Sequence, residues 1–218
     1  MDDLSASEKL EIATLVQNQE KQLGKKLSAN RNKIFAINAI RTLHEQVDAL
    51  TAQIYKKPGI HFDCKPGCSY CCSLRVAAMP AEVFVIARHM KQLPDEALAS
   101  IIQKLTIHAE AARGLGTEEY FLPCALLVNG KCSIYALRPA MCRKYLSMDV
   151  EECKKPDACA PENREMVMKS SALIFGTTQA YTKAKLETKN HELGQALLVA
   201  LTEPSAEEKW YRGQQVFV

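Results

Sequence analysis

Four cysteines inside nine residues, Cys64, Cys68, Cys71 and Cys72 of HFDCKPGCSYCC, constrain this chain more than any other feature. A second set is spread out: Cys124, Cys132, Cys142 and Cys153 fall within FLPCALLVNGKCSIYALRPAMCRKYLSMDVEEC. Eight of the nine cysteines thus lie in two groups. Thiolates are the soft ligands that select zinc, copper(I) or iron–sulfur clusters, so the pattern points to metal.

Spacing limits how these sulfurs can be used. Cys64-x3-Cys68 and Cys68-x2-Cys71 both suit the tight turns that bring two thiolates to one ion, and Pro66 and Gly67 supply turn chemistry. The adjacent Cys71 and Cys72 cannot easily serve the same ion. On an extended backbone they point to opposite faces, and on a helix they diverge. One of the two is expected to reach a different metal centre, or a different atom of a polynuclear cluster. The second set has gaps of eight, ten and eleven positions, so only folding can assemble it. It lacks the second Cys-x2-Cys knuckle of a simple zinc ribbon. Two interleaved sites, or one cluster capped by both sets, fit the spacing.

A cluster of thiolates carries net negative charge and needs donors and cations beside it. Lys65, Arg75, Arg138, Arg143 and Lys144 are near cysteines in sequence, and Arg138 and Arg143, which bracket Cys142, are the expected partners. Pro139 is placed to open a short helix, which would put Cys142 in a first turn, where the helix dipole favours a thiolate.

The remainder bounds the class. With 218 residues, 47% hydrophobic and 24% charged, the chain suits one domain with a sizeable core. A net charge of +3 with lysines scattered among acids gives no basic stripe for nucleic acid. The acidic, polar start MDDLSASEKLEIA is unlike a secretory leader, and ALLVAL at 196–201 is too short to span a bilayer. The expected location is therefore cytoplasmic, with no membrane partner and with a protein partner or protein substrate left open. In the reducing cytosol clustered cysteines read as metal ligands rather than disulfides, and the odd cysteine count agrees.

The expected fold is mainly α: a helical domain with a cysteine-rich, irregular metal-binding centre and one short hairpin. Residues 1–57 read as an N-terminal helical hairpin, 58–161 as the cysteine-cluster region, and 162–218 as C-terminal helices packing on the same core. Ser7 to Leu23 forms a helix closed by Gly24. From Ser28 to Tyr55, Ile34, Ile37, Ile40, Leu43, Val47, Leu50 and Ile54 trace one helical stripe. Pro80 and Pro94 each open a further helix, and Asn129–Gly130 between apolar runs marks a hairpin. A helical pattern from Glu162 to Leu201 breaks near Gly176 or Asn190, and Trp210 and Phe217 pack the tail on the core or on a partner.

Other residue types add little chemistry. His61 completes a site only if a cysteine drops out, while His44, His89, His108 and His191 read as helix-face residues. Tyr135 and Tyr145 pack around the cysteines, with a hydroxyl-to-sulfur bond as the sharper reading. Met79, Met90, Met141, Met148, Met166 and Met168 read as core fillers. CKPGCSYC also resembles the three-cysteine motif of radical S-adenosylmethionine enzymes, but the strand–helix alternation and glycine-rich contacts of that fold are missing.

The CxxCC end of the first cluster, Cys68 to Cys72, and the run GKCSIYALRPAMCRKYLS together resemble the CxxCxxCC (YkgJ-like) family of zinc- or iron-chelating proteins. In the run, Cys132, Ile134, Tyr135, Arg138, Pro139, Cys142 and Arg143 carry the likeness, which extends from Cys64 to about Cys153. The resemblance implies metal ligation by Cys64, Cys68, Cys71, Cys72, Cys124, Cys132, Cys142 and Cys153. The first gap here is three residues rather than the family's two, and Cys159 competes with Cys153 for the last place. The family includes flagellin lysine N-methylases, which implies an iron–sulfur cluster, S-adenosylmethionine and methyl transfer as its enzymatic branch. The resulting expectation is an iron–sulfur cluster or zinc, leaning to iron–sulfur. A redox role or help to methyl transfer follows in the first case, and a structural or interaction module in the second.

Overall fold

The computed structural model describes residues 4–65, 67–155 and 160–217; Pro66 and Cys159 lie outside them. It is mainly α-helical. In chain order the elements are α1 (Ala6–Ala29), α2 (Lys33–Asn38), α3 (Arg41–Tyr55), β1 (Ala77–Ala78), α4 (Pro80–Met90) and α5 (Asp95–Ala111). A hairpin follows, β2 (Leu127–Val128) and β3 (Lys131–Cys132), then the short helices α6 (Ala140–Lys144) and α7 (Val150–Cys153). The chain closes with α8 (Arg164–Lys183), β4 (His191–Glu192), α9 (Leu193–Thr202) and α10 (Ala206–Tyr211). Among the described residues no helix is long and apolar enough to cross a membrane.

The apolar stripe identified between residues 34 and 54 is the core face of two helices, not one. Ile37, Ile40, Leu43, Val47, Leu50 and Ile54 are buried, while Ile34 is exposed. The chain turns between α2 and α3, and Asn32 caps α2 by accepting the Phe35 N–H at 2.7 Å. Gly24 does not close the first helix. Ser5 and Glu8 form a capping box at its start, and it runs for 24 residues to Ala29, because a lone glycine weakens a helix without ending it.

Gly176 likewise lies inside α8, and its role is close packing. A Cβ there would stand 2.6 Å from the Val16 carbonyl oxygen and 2.9 Å from the Gln19 Cβ, so α1 and α8 approach through a position that only glycine fits. Beside it the Gln19 side chain donates to Thr177 Oγ1 at 2.9 Å, satisfying two buried polar groups. The break in the C-terminal helical run falls beyond Lys183, in the stretch containing Asn190. There the backbone turns extended, and β4 pairs antiparallel with β1, Ala78 opposite His191. Strands of two residues carry too little periodicity to be read from a sequence.

The tail packs on the core. Trp210 and Phe217 are buried against Phe84, with ring centroids 5.5 and 5.3 Å away, and the Trp210 indole donates to the Glu187 carbonyl. Helix α4 is buried along almost its whole length, which makes it the central rod of the molecule. Its Glu82, 2% exposed, places a carboxyl group in that core. One carboxylate oxygen accepts the Met79 N–H at 2.9 Å, and the other meets His44 of α3 at 2.9 Å and the Ala140 N–H of α6 at 2.7 Å. A buried carboxylate is tolerable only with such a full set of partners.

Candidate metal centre

The tight cluster sits on irregular backbone before α4. Gly67, at φ +93°, turns the chain between Cys64 and Cys68, a conformation that side chains bearing a Cβ rarely adopt. Tyr70–Ser73 then forms a single 3₁₀ turn carrying Cys71 and Cys72. The scattered set arrives by four routes. Residues 122–124 run beside the cluster, with Leu122 N–H donating to the Ser73 carbonyl and Cys124 N–H to the Cys72 carbonyl at 2.8 Å. The hairpin turns at Asn129 and Gly130, φ +50° and +70°, the pair of left-handed residues expected of a type I′ turn, and this delivers Cys132. Pro139 precedes α6, which presents Cys142, and α7 ends on Cys153.

Folding brings these segments together. Seven cysteines, Cys64, Cys68, Cys71, Cys72, Cys124, Cys132 and Cys142, line one cavity of about 220 Å³. A second cavity of about 170 Å³ adjoins it, lined by Cys64, Cys68 and Cys71 again and by Cys153. Tyr55 and Tyr135 stand exposed at the first; Tyr70, Leu74 and Phe121 stand exposed at the second. All eight described cysteines are free thiols, with no disulfide among the described residues.

Burial sets the chemistry of the sulfurs. It pushes the Cys64 and Cys124 thiols up to about 11, with Cys132 and the deep Cys142 also raised, because desolvation opposes the anion. Cys71 is raised chiefly by its hydrogen bond with Cys72, then by burial. The expected benefit of the helix start at Cys142 is therefore outweighed: α6 has only five residues, and its first turn is sunk in the core. Backbone N–H groups work in the opposite direction. Ser147 donates to Cys64 Sγ at 3.1 Å, and the Leu126 and Ile134 amides favour the thiolates of Cys124 and Cys132.

The two arginines behave differently from each other. Arg138 lies over the Tyr135 ring, 4.0 Å from its centroid, and its charge favours the thiolates of Cys71 and Cys132. Arg143 is spent elsewhere. It pairs with Asp48, which Arg138 also approaches at 3.7 Å, and donates to the carbonyls of Arg138 and Ala136, bracing the turn before α6. Lys144 bonds Ser171, and Arg75 reaches the Leu115 carbonyl and the Tyr120 ring. Lys65 lines the larger cavity. Tyr135 and Tyr145 line it too, as packing groups.

Among the described residues no histidine lines the two cysteine-rich cavities, though His108 shares a third, small one with Cys124. His61 is exposed and paired with Asp63 at 2.8 Å. His44 and His108 are buried partners of carboxylates rather than plain helix-face residues, and His191 lies in β4 instead of a helix. Sequence reasoning missed the network of His108, Tyr120 and Glu192. Tyr120 bridges the other two at 2.8 and 3.1 Å beside Cys124, and its members are too far apart in sequence to signal one another.

No trio of His, Cys, Asp or Glu among the described residues is drawn together tightly enough to hold an ion as it stands. The donor set nevertheless fits a soft metal in kind and number: thiols around adjoining cavities, with amide donors and cationic side chains beside them. Ligation requires those thiols to lose their protons and close inward, which couples metal binding to local folding. The fold has no parallel sheet among the described residues, so the radical S-adenosylmethionine architecture is absent there.

Comparison with known families agrees with the site. Residues 63–160 match the family model CxxCxxCC, described as "Putative zinc- or iron-chelating domain". The matched stretch contains all eight of the clustered cysteines. No curated protein and no solved structure matches the chain.

Proposed function

We propose that this chain, with its CxxCxxCC domain over residues 63–160, is a metal-binding protein that holds an iron–sulfur centre through eight cysteine thiolates. The observation that carries the reading is the convergence of cysteines from separate segments. Cys124, Cys132 and Cys142 come from an irregular segment, a hairpin and a helix, yet share one cavity with the tight cluster. Single cysteines gathered by tertiary folding, without a second knuckle, suit a polynuclear centre better than a zinc ribbon. Such a centre supplies one-electron redox chemistry when bound.

Within that reading the chain's own residues have defined parts. The eight cysteines are ligands, the Ser147, Leu126 and Ile134 amides and Arg138 offset thiolate charge, and Arg143 with Asp48 braces the helix that bears Cys142. The expected roles are electron transfer or redox sensing in a reducing compartment such as the cytosol. Assistance to methyl transfer is the enzymatic branch.

One observation favours a second reading, a zinc-stabilised module without catalytic activity. The two cavities divide the cysteines into overlapping sets that would suit two closed four-thiolate sites. Anaerobic purification followed by iron, sulfide and zinc analysis and an absorbance spectrum separates the two. Brown protein with stoichiometric iron and sulfide sinks the zinc reading, and colourless protein with tightly held zinc sinks the iron–sulfur one. Binding of added S-adenosylmethionine to the loaded protein tests the methyl-transfer branch.

A further inference from the structure

The two cysteine-lined cavities are not equivalent. Of the two, Cys124, Cys132 and Cys142 line the larger alone, with Cys124 also bordering the small cavity beside His108 and Tyr120, and all three pack against the hydrophobic core. Cys72 lines only that cavity as well. Cys153 lines only the smaller one, whose remaining walls include the exposed Tyr70 and Phe121. Cys64, Cys68 and Cys71 face both.

We infer that the eight ligands form two unequal four-thiolate sites that part between Cys71 and Cys72, the outer one exchangeable and the inner one fixed. The inner site comprises Cys72, Cys124, Cys132 and Cys142, the last three packed on the core from a segment tied to the Cys72 carbonyl, a hairpin and a helix. The outer site comprises Cys64, Cys68, Cys71 and Cys153, on irregular backbone and a helix of four residues, facing an aromatic-walled pocket. Cys71 faces both cavities while Cys72 faces the larger alone, so the boundary between the two sites falls within this adjacent pair. Local opening is easier where few buried contacts hold the backbone, so metal at the outer site leaves first. The pocket beside it admits a small chelator or an external donor ligand with an apolar body. This division rests on the reading of the cysteines as metal ligands.

Cobalt(II) loading of the full chain under anaerobic conditions, followed by excess EDTA, tests the division through the loss of thiolate-to-cobalt charge-transfer absorbance. Two release phases are expected. Cys153→Ser should lose the fast phase and keep the slow one, whereas Cys132→Ser should keep the fast phase, with circular dichroism confirming that each variant folds. Cys159→Ser should keep both. If Cys132→Ser does not fold, Cys153→Ser alone still decides the matter. A single release phase, or loss of both phases in Cys153→Ser, overturns the two-site division while leaving metal binding intact. Loss of the fast phase in Cys159→Ser and its survival in Cys153→Ser overturns the outer ligand set. No cobalt uptake by the parent chain overturns this inference together with the proposed function.

Discussion

The carboxylate of Glu82 accepts the backbone N–H of Ala140 at 2.7 Å, fixing the first residue of α6 to the most buried helix of the molecule. The same oxygen meets His44. Three elements, α3, α4 and the helix that presents Cys142, therefore share one buried anchor. Glu82→Ala should cost about 3–5 kcal/mol, since it leaves a buried histidine and two amides without their acceptor. Urea unfolding of the metal-free chain reads this directly. A loss below about 1 kcal/mol would show that the anchor is replaceable.

Two glycines in long helices should respond oppositely to alanine. A Cβ added at Gly24 would meet no atom within 4 Å, so Gly24→Ala should stabilise α1 by up to about 1 kcal/mol. Gly176→Ala drives a methyl into the Val16 carbonyl and should cost about 1–3 kcal/mol. Thermal melts of the two variants give the signs, and equal signs would contradict the close approach of α1 and α8.

Glu192 ties the centre to acid stability. Burial pushes its carboxyl upward, but the His108 side chain and the Gly194 and Gln195 amides together outweigh burial and hold it below the usual range. A folded value below the unfolded value of about 4.3 means a contribution fully present above that pH and lost as pH falls through the lowered folded value. Unfolding midpoints measured from neutral to acid pH should therefore converge for the parent and Glu192→Gln. Parallel curves would deny the carboxylate this role.

The hairpin should control delivery of Cys132. Gly130 adopts φ +70°, so Gly130→Val puts a β-branched residue where it is strained by about 1–2 kcal/mol. Metal content should fall more than global stability, because the strain falls on one ligand segment. Full metal loading in a folded variant would argue that Cys132 is dispensable.

The parts of this structure that are legible in the sequence are those with a short-range cause. The stripe from Ile37 to Ile54, the Asn129–Gly130 turn and the proline-opened α4 each follow from residues within a few positions of one another. Sequence and structure diverge where a residue's role is set from across the molecule. Gly24 and Gly176 look like helix ends locally, yet one lies on an open helix surface and the other admits a neighbouring helix. Arg143 is adjacent to Cys142 in sequence, but Asp48 on α3 claims its charge. The β1–β4 pair joins residues more than a hundred positions apart, and nothing local announces it. The same holds for the centre: spacing separates Cys71 from Cys72, while only tertiary packing says which cavity each faces.

Much of the charge relief offered to the sulfurs comes from peptide groups, the amides of Ser147, Leu126 and Ile134. A donor written into the main chain survives any side-chain exchange that the packing accepts, and proline alone deletes it. The electrostatic surroundings of the cysteines are thus inherited with the chain's path, not with particular neighbours. Sequences that differ at almost every position around the cysteines can share them, provided that the path is kept.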